Sequence, residues 1–543
     1  MLHNGNPQWL KEAIIYSVDI RMFKDANSDG CGDLEGLISK LDYLHELGIT
    51  CIWLAPFYPS AERDGGYDVT DYCSIKPILG TMAQFNQLVK CSHQFGIRLM
   101  LDLVINHTSN QHPWFVQALQ NRSSKYHDYY VWKDQKPSND KEDVIFPGVE
   151  HSNWTKEETT GTYYYHTFYS HEPDLNVANP AVQQEIEQII RFWANSGIDG
   201  FRIDAVPHIL RNKGSHAFRG DPFDLLATWK QLLASFGKDK VLVGESDVKP
   251  EEFQRFIGNG SKLNALFNFF LNNYLFLSLA TQTAQPIKYA LQKIEQSADF
   301  SHLLNFIRNH DELDLEQLTQ TERALVYKAF APEEDMLIYH RGIRRRLAPM
   351  LGGHAHRTIM TMSLLISLPG VPVIRYGDEI GMGDDLSLPE RNSVRTIMQW
   401  DSGAAAGFSN VPINQLKYRL IANGPYAFRQ INVAQQQADP NAIWSHIQIF
   451  LKLRKQYITH FIEGKFELMQ SENEAMLLHI FAKESRMLLF AHNFSGNSCT
   501  QSLKQFNEIK AIHTLMAAPQ TEVRHGGASI MLPPYGYCWL LLE

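Results

Sequence analysis

Three acidic residues, Asp204, Glu245 and Asp311, each stand at the C-terminal end of a short apolar run, at residues 198–203, 241–243 and 303–307. Glycoside chemistry asks for such a set: two carboxyl groups straddle the scissile bond, one ionised to attack the anomeric carbon and one protonated to serve the leaving oxygen. Arg202 lies two positions before Asp204. In a strand that spacing puts both side chains on one face, so the guanidinium is predicted to hold the Asp204 carboxylate ionised. His107 and His310 add neutral donors suited to sugar hydroxyls. A single buried Asp is more often a structural ion-pair partner, but that reading does not explain polar groups at four strand ends together.

The elements that must position these groups follow from the same runs. Apolar, β-rich segments recur at 13–20, 49–54, 97–104, 198–203, 241–243, 263–267, 303–307 and 371–374, with amphipathic helical stretches between them. Strands that are apolar throughout and alternate with helices indicate a parallel sheet buried on both faces. Polar residues at their C-terminal ends place the chemistry where a (β/α)8 barrel presents it. The predicted class is therefore α/β: a TIM barrel with a subdomain inserted after strand 3 and a C-terminal antiparallel β-domain. Residues 1–107 and 181–457 form the barrel, 108–180 the inserted domain, about 312–351 a lid insertion, and 458–543 the β-domain. In that last part the segments MLLHIF, RMLLFAH, ASIMLP and YCWLLLE read as strands, with Tyr535, Tyr537 and Trp539 as core rather than as a carbohydrate-binding platform.

Composition bounds the function. The 543 residues carry 50 Lys+Arg against 59 Asp+Glu, a net charge of −9, with 44% hydrophobic residues. That is a globular protein without the clustered basic footprint of a nucleic-acid or anionic-membrane binder. The one cationic cluster, Arg341 to Arg346, reads as a solvated or salt-bridged helix face. No run of about 18 apolar residues appears and the N-terminus lacks a signal-like pattern, so a soluble, cytoplasmic protein is expected. Six scattered cysteines without a C-x-x-C pair read as free buried thiols.

The segments DLVINH (102–107), GFRIDAV (200–206), GES (244–246) and FIRNHD (306–311) resemble, in order, the four catalytic segments of the α-amylase clan, glycoside hydrolase family 13. The resemblance implies Asp204 as a nucleophile forming a β-glucosyl-enzyme, Glu245 as general acid/base and Asp311 as the carboxylate that stabilises an oxocarbenium-like transition state. It implies His107, Arg202 and His310 as sugar-binding partners, joined by Asp64 and Tyr67 of RDGGYDVTDY, and Arg395 of RTIMQW as the arginine that pairs with Asp64 and closes the pocket. Closure implies exo action on short sugars. Within the family, SNWT (152–155), 163–180, NHDELDLE (309–316), RGIRRRLAP (341–349) and YGDEIGMGD (376–384) resemble the trehalose synthases, over about residues 8–410. Such an enzyme moves glucose from maltose onto its nucleophile, keeps the released glucose enclosed, and returns the glucosyl unit to the anomeric hydroxyl; α-linked glucosides such as maltose and trehalose are the implied partners, and no organic cofactor is implied.

The chain departs from that pattern in Ser246 and Asp247 after the acid/base, Asp314, Arg375 and Ile397. Extra carboxylates on the acceptor side are expected to attract water and to raise the Glu245 pKa by like-charge coupling. Hydrolysis of short α-glucosides, or transglucosylation, therefore stands beside maltose–trehalose interconversion; a catalytically silent barrel does not fit the intact acids. A last signal is Asp25, Asn27, Asp29 and Asp33 in a glycine-assisted loop, an oxygen-rich pattern suited to Ca²⁺ but without the glutamate of an EF-hand. It resembles the first βα-loop calcium site of the family, with the Cys31 carbonyl as a further ligand. The bland reading is an Asx-rich turn. A second ion near Asn106 and Asp174 is not expected, because HILRNKG (208–214) lacks an acidic residue.

Overall fold

The computed structural model describes residues 6–543 except 139, 142, 215, 504–509 and 525–528. Residues 1–5 of the expected barrel segment and the first residue of ASIMLP lie outside the described residues.

Eight parallel strands close a barrel: β1 (Ile15–Val18), β2 (Cys51–Leu54), β3 (Arg98–Leu103), β4 (Gly200–Ile203), β5 (Val241–Gly244), β6 (Ala265–Phe267), β7 (Leu303–Phe306) and β8 (Val371–Arg375). β1 pairs with both β2 and β8, which closes the ring. Each strand is buried on both faces because its side chains alternate between two cores. Inward residues such as Ile15, Trp53, Met100, Val243, Phe267 and Phe306 pack into one cluster, while Tyr16, Ile52, Leu101, Phe201 and Leu242 face the helices.

Helices have local reasons to start where they do. The Thr81 side chain and Gln84 form a reciprocal capping box at the head of Met82–Gln94. Asn179 caps Pro180–Asn195 through the Ala181 N–H, and Val182, Ile186, Ile189 and Trp193 form its buried stripe.

Between β3 and β4 lies a small antiparallel sheet, Trp132–Lys133, Tyr163–Tyr165 and Trp154–Lys156, in that spatial order. After β7 come Leu313–Asp314, Gly342–Ile343 and Leu337–Ile338, another three-stranded antiparallel sheet. The Arg341–Arg346 cluster is therefore not a helix face, and this expectation is corrected. Arg341 leaves a tight turn in which Tyr339 and His340 both have left-handed backbone, φ 52° and 56°. The cluster's charges are taken up by neighbours: Arg346, fully buried, reaches Asp378 at 3.3 Å and the Val394 and Tyr376 carbonyls.

The C-terminal part is a five-stranded antiparallel sheet, with Met476–Lys483, Arg486–Asn493 and Tyr537–Leu542 at its centre, and a three-stranded one. Trp539 docks it onto helix Ala355–Ser367 by donating from Nε1 to Ser363 Oγ at 2.8 Å. Tyr537 and Trp539 are core, as expected; Tyr535 instead precedes the strand, half-buried, with Arg357 over its ring. All six cysteines are free, as expected; the expectation that they are also buried holds for Cys31, Cys51, Cys499 and Cys538 and is corrected for Cys73, which is exposed, and Cys91, which is half-buried. Among the described residues no helix is long and apolar enough to cross a membrane.

Candidate active site

The site begins one pleat above the apolar floor of the barrel. Along β3 the inward positions run Met100 then Asp102, along β4 Gly200 then Arg202 and, just past its end, Asp204, and along β5 Val243 then Glu245. The period of two thus turns a hydrophobic plug into a polar layer at the C-terminal rim.

Arg202, 1% exposed, organises that layer. Its NH1 donates to Asp102 Oδ1 at 2.5 Å and to Asp204 Oδ1 at 2.6 Å, and its NH2 lies 2.7 Å from Glu245 Oε1. The guanidinium sits over the rings of Trp53 and Tyr67. Asp102 Oδ2 in turn accepts from Trp53 Nε1 at 3.1 Å and Tyr67 OH at 2.9 Å. Chain direction reverses at Ala205, whose left-handed φ of 48° is strained for a residue with a Cβ. That turn aims the Ala205 N–H at Glu245 Oε2, 3.1 Å away.

One positive charge shared by three carboxylates leaves the group short of compensation. Burial, with Asp102 and Asp311 added, pushes Asp204 up to about 6 even though Arg202 opposes it. The expected pairing is present and Arg202 favours the ionised Asp204, but the guanidinium is divided among three acids and desolvation exceeds its share. Glu245 is pushed up to about 7, first by burial and then by Asp204 and Asp311, with Arg202 opposing. The raised value was expected, but from Asp247 and Asp314; the carboxylates that matter most are the catalytic neighbours.

A second charged unit closes one end. Asp311 Oδ1 accepts from Arg391 NH1 at 2.7 Å and Arg395 NH2 at 2.9 Å, while Asp64 receives Arg391 NH2 at 2.8 Å and Arg395 NH1 at 3.3 Å. Burial works against ionisation of Asp311, but adjacent His310 and the two arginines hold it well below the usual carboxylate range. Asp64 is lowered likewise, against burial, by Arg391 and Arg395. His310 stacks on Tyr67 with ring centres 5.2 Å apart, and burial holds its pKa down to about 3; burial takes His107 to about 4. Both imidazoles are therefore neutral at physiological pH. His107 Nε2 and His310 Nδ1 reach no hydrogen-bonding protein group although they are buried, whereas His310 Nε2 lies 3.1 Å from Asp311 Oδ2. Groups of this kind are stabilised by a ligand that brings hydroxyls.

All three acids, with Asp64, Tyr67 and His107, line one cavity of about 870 Å³. Arg202 and Arg395 bear on it through the carboxylates they hold. Sequence reasoning missed Arg391, Asp102 and Trp53. Arg391 was legible as the first arginine of PERNSVRTIMQW, four residues before Arg395, and Asp102 as the inward neighbour of Met100. Of the departures, Asp247 and Asp314 line the cavity, whereas Arg375 and Ile397 are buried outside its lining.

The expected metal loop is held by its own amides. Asp25 accepts from the N–H groups of Ser28 and Gly30 and from Ser409 Oγ, Asn27 from Asp29, Asp29 from Cys31, and Asp33 from Ala26, Asn27 and Gly36. This is the Asx-turn geometry of the bland reading, yet the donor set is all oxygen, which is the set calcium takes, and an oxygen accepting one amide keeps a second lone pair. Asn106 and Asp174 are bridged by an ammonium: Lys213 Nζ donates to Asn106 Oδ1 and Asp174 Oδ2, both at 2.6 Å.

Residues 18–464 match the α-amylase catalytic-domain family, and the chain belongs to that family, number 13 of the glycoside hydrolases. Within that family it is similar to trehalose synthases. It is 38% identical to the trehalose synthase of Thermus thermophilus over 99% of this chain and 56% of that protein. The chain thus spans a little over half the length of that relative. It is 38% identical to the trehalose synthase/amylase of Mycobacterium tuberculosis over 88% of this chain and 80% of that one, and 31% identical to an α-glucosidase of Apis mellifera over 93% and 88%. Among solved structures, the α-amylase from H. orenii superposes with a TM-score of 0.79 at 26% identity, covering 98% of this chain and all of that one. A trehalulose synthase variant in complex with Tris gives 0.80 at 25%, covering 99% and 100%.

The two raised carboxyl groups set a pH window. On the roles that the family resemblance implies, the first step would need Asp204 ionised, so its rate would be lost as pH falls through about 6, and Glu245 protonated, so it would be lost as pH rises through about 7. A narrow bell in kcat/KM with apparent limits near those values is the expected profile. Glu245→Gln is expected to cost about 10²–10⁴-fold on a disaccharide, far less on α-glucosyl fluoride, and to abolish the alkaline limb. A profile flat through both values, or equal losses on the two donors, contradicts the assignment.

Proposed function

We propose that the protein is a retaining α-glucosyl enzyme that interconverts maltose and trehalose. The observation that carries this reading is the bridging of Asp204 and Glu245 by one buried guanidinium, inside a cavity capped at the Asp64 end by Arg391 and Arg395. A cap beyond a single glucose favours short substrates over polymer. Asp204 attacks the anomeric carbon as Glu245 passes its proton to the glycosidic oxygen, giving a β-glucosyl ester and free glucose. The glucose then turns within the pocket. Its anomeric hydroxyl attacks C1 of the bound glucosyl unit, Glu245 takes the hydroxyl proton, and the C1–O bond to Asp204 breaks to release the carboxylate. Asp311, kept ionised by its arginines, supports the positive charge that develops on the ring.

Water must stay out for transfer to win. Phe146 and Tyr169 of the insertion pack against Ile338 and Tyr339 of the lid, and Glu390 accepts from both tyrosine hydroxyls at 2.6 Å. The trehalose synthases among the relatives support the mutase reading. Asp247 and Asp314 on the acceptor side favour a second one, exo-α-glucosidase or transglucosidase action. For the loop Asp25, Asn27, Asp29, Cys31 and Asp33 we propose a structural Ca²⁺, which would tie the first βα loop to the Ser409 segment and take no part in the chemistry.

Incubation with maltose and separately with trehalose is expected to give each sugar from the other with minor glucose, and Asp204→Ala to give neither. Glucose alone from maltose, with trehalose untouched, contradicts interconversion. Calcium is expected to raise the melting temperature by a few degrees, EDTA to reverse this, and Asp29→Ala to remove the response; superimposable melting curves contradict the ion.

A further inference from the structure

Past Glu245 and away from the capped end, the cavity wall is acidic. Single carboxylate oxygens of Asp247, Asp314 and Glu316 lie within 4.8 Å of one another, and all three residues line the same cavity as the catalytic acids. The only cation close to them among the described residues is Arg341. Its Nε sits 2.7 Å from Asp314 Oδ2 and 3.9 Å from Glu316, and its NH2 3.3 Å from Glu312. Of the other cations of the lining, Arg391 is held at the capped end by Asp64 and Asp311, and Arg211, Lys249 and Arg255 are exposed.

Acceptor atoms outnumber donors here. Glu312, 7% exposed and part of the lining, leaves Oε2 without any donor. Asp247 receives one bond, from Gln317 Nε2 at 2.7 Å, while its buried Oδ2 and the buried Gln317 Oε1 receive none. An unpaired buried acceptor is costly, and a carboxylate more so than an amide. A neutral sugar offers hydroxyl donors but no charge to offset the carboxylates.

We infer that this half of the cavity accepts a cationic glucosyl acceptor, an amino sugar whose ammonium engages Asp247 and its neighbours while a ring hydroxyl faces Glu245. The inference rests on the glucosyl-transfer reading above and names the acceptor class. A compact divalent ion fits less well, because it would share Asp314 and Glu316 with the fixed charge of Arg341. An ammonium needs only one or two oxygens, and the sugar's hydroxyls serve the remainder. Burial with Asp314 and Glu316 beside it holds Asp247 well above the usual carboxylate range, so an incoming ammonium also favours its ionised form. The step balances as in ordinary transfer. The acceptor oxygen bonds to C1 as the C1–Asp204 ester bond breaks, its proton goes to Glu245, and the ammonium is unchanged.

α-Glucosyl fluoride as donor separates acceptor choice from the release of glucose by a disaccharide. With the intact chain, transfer to glucose and to 2-, 3- and 6-amino-deoxyglucose is followed by chromatography with mass detection. At least one amino sugar is expected to exceed glucose by about tenfold in kcat/KM, as one charge-assisted hydrogen bond provides. Asp247→Asn and Asp314→Asn should each bring that ratio toward one. Transfer to glucose with no amino sugar preferred, or a preference that both variants keep, overturns the inference and leaves glucosyl transfer standing. Free glucose as the sole product with every acceptor overturns both. A preference that calcium or manganese alone erases identifies a metal site instead and also overturns it.

Discussion

Everything in the site depends on one buried guanidinium. Arg202 is enclosed by Trp53 and Tyr67 and held by three carboxylates from β3, β4 and β5. Burying charge without compensation is prohibitive, so the arginine and the acids require one another. Because burial, and then the excess of acids, outweigh its charge, the same arrangement leaves Asp204 and Glu245 less acidic than free carboxyls. The proposed catalytic pair is thus tuned by burial together with an imbalance of charge, whereas a strict one-to-one pairing would favour the ionised form of both groups.

The second charged unit works in the opposite sense. Two arginines meet two acids, the count balances, and Asp64 and Asp311 stay ionised. Arg391 also lies over Phe146 and Tyr169, so the cap of the pocket is continuous with the inserted domain. Its neighbour Glu390, with a strained φ of 44°, collects the hydroxyls of Tyr169 and Tyr339 and so joins barrel, insertion and lid at one point. The aromatic insertion is closure as much as packing. The acceptor half lacks such balance, which is where this chain differs from the trehalose-synthase pattern.

The barrel was legible because its strands are buried on both faces and read as uninterrupted apolar runs; all eight fall within or beside the expected segments. The three acids and their histidine partners were legible because they end those runs. What was not legible depends on three-dimensional packing. Arg391 gains its role only when a short 3₁₀ segment folds it back over the rim, and the division of Arg202 among three acids cannot be read from its spacing to Asp204 alone. The arginine-rich lid carries helical spacing but folds as a hairpin, since Arg341, Arg344 and Arg346 find carbonyls and carboxylates on three different segments. In the C-terminal sheets, edge strands such as Lys465–Met469 and Glu522–Arg524 are half polar and so short that their alternation spans too few residues to mark a strand.

The central claim is that Asp204 becomes covalently bonded to glucose as Glu245 gives its proton to the leaving group. Treating the protein with 5-fluoro-α-glucosyl fluoride, which slows the second step, followed by proteolysis and mass spectrometry, tests it directly. The account requires one fluoroglucosyl adduct on the peptide carrying residues 200–206, at Asp204, with activity returning as the adduct turns over. An adduct on a different carboxylate, or steady turnover of the reagent with no adduct and inversion at the anomeric carbon, would contradict it.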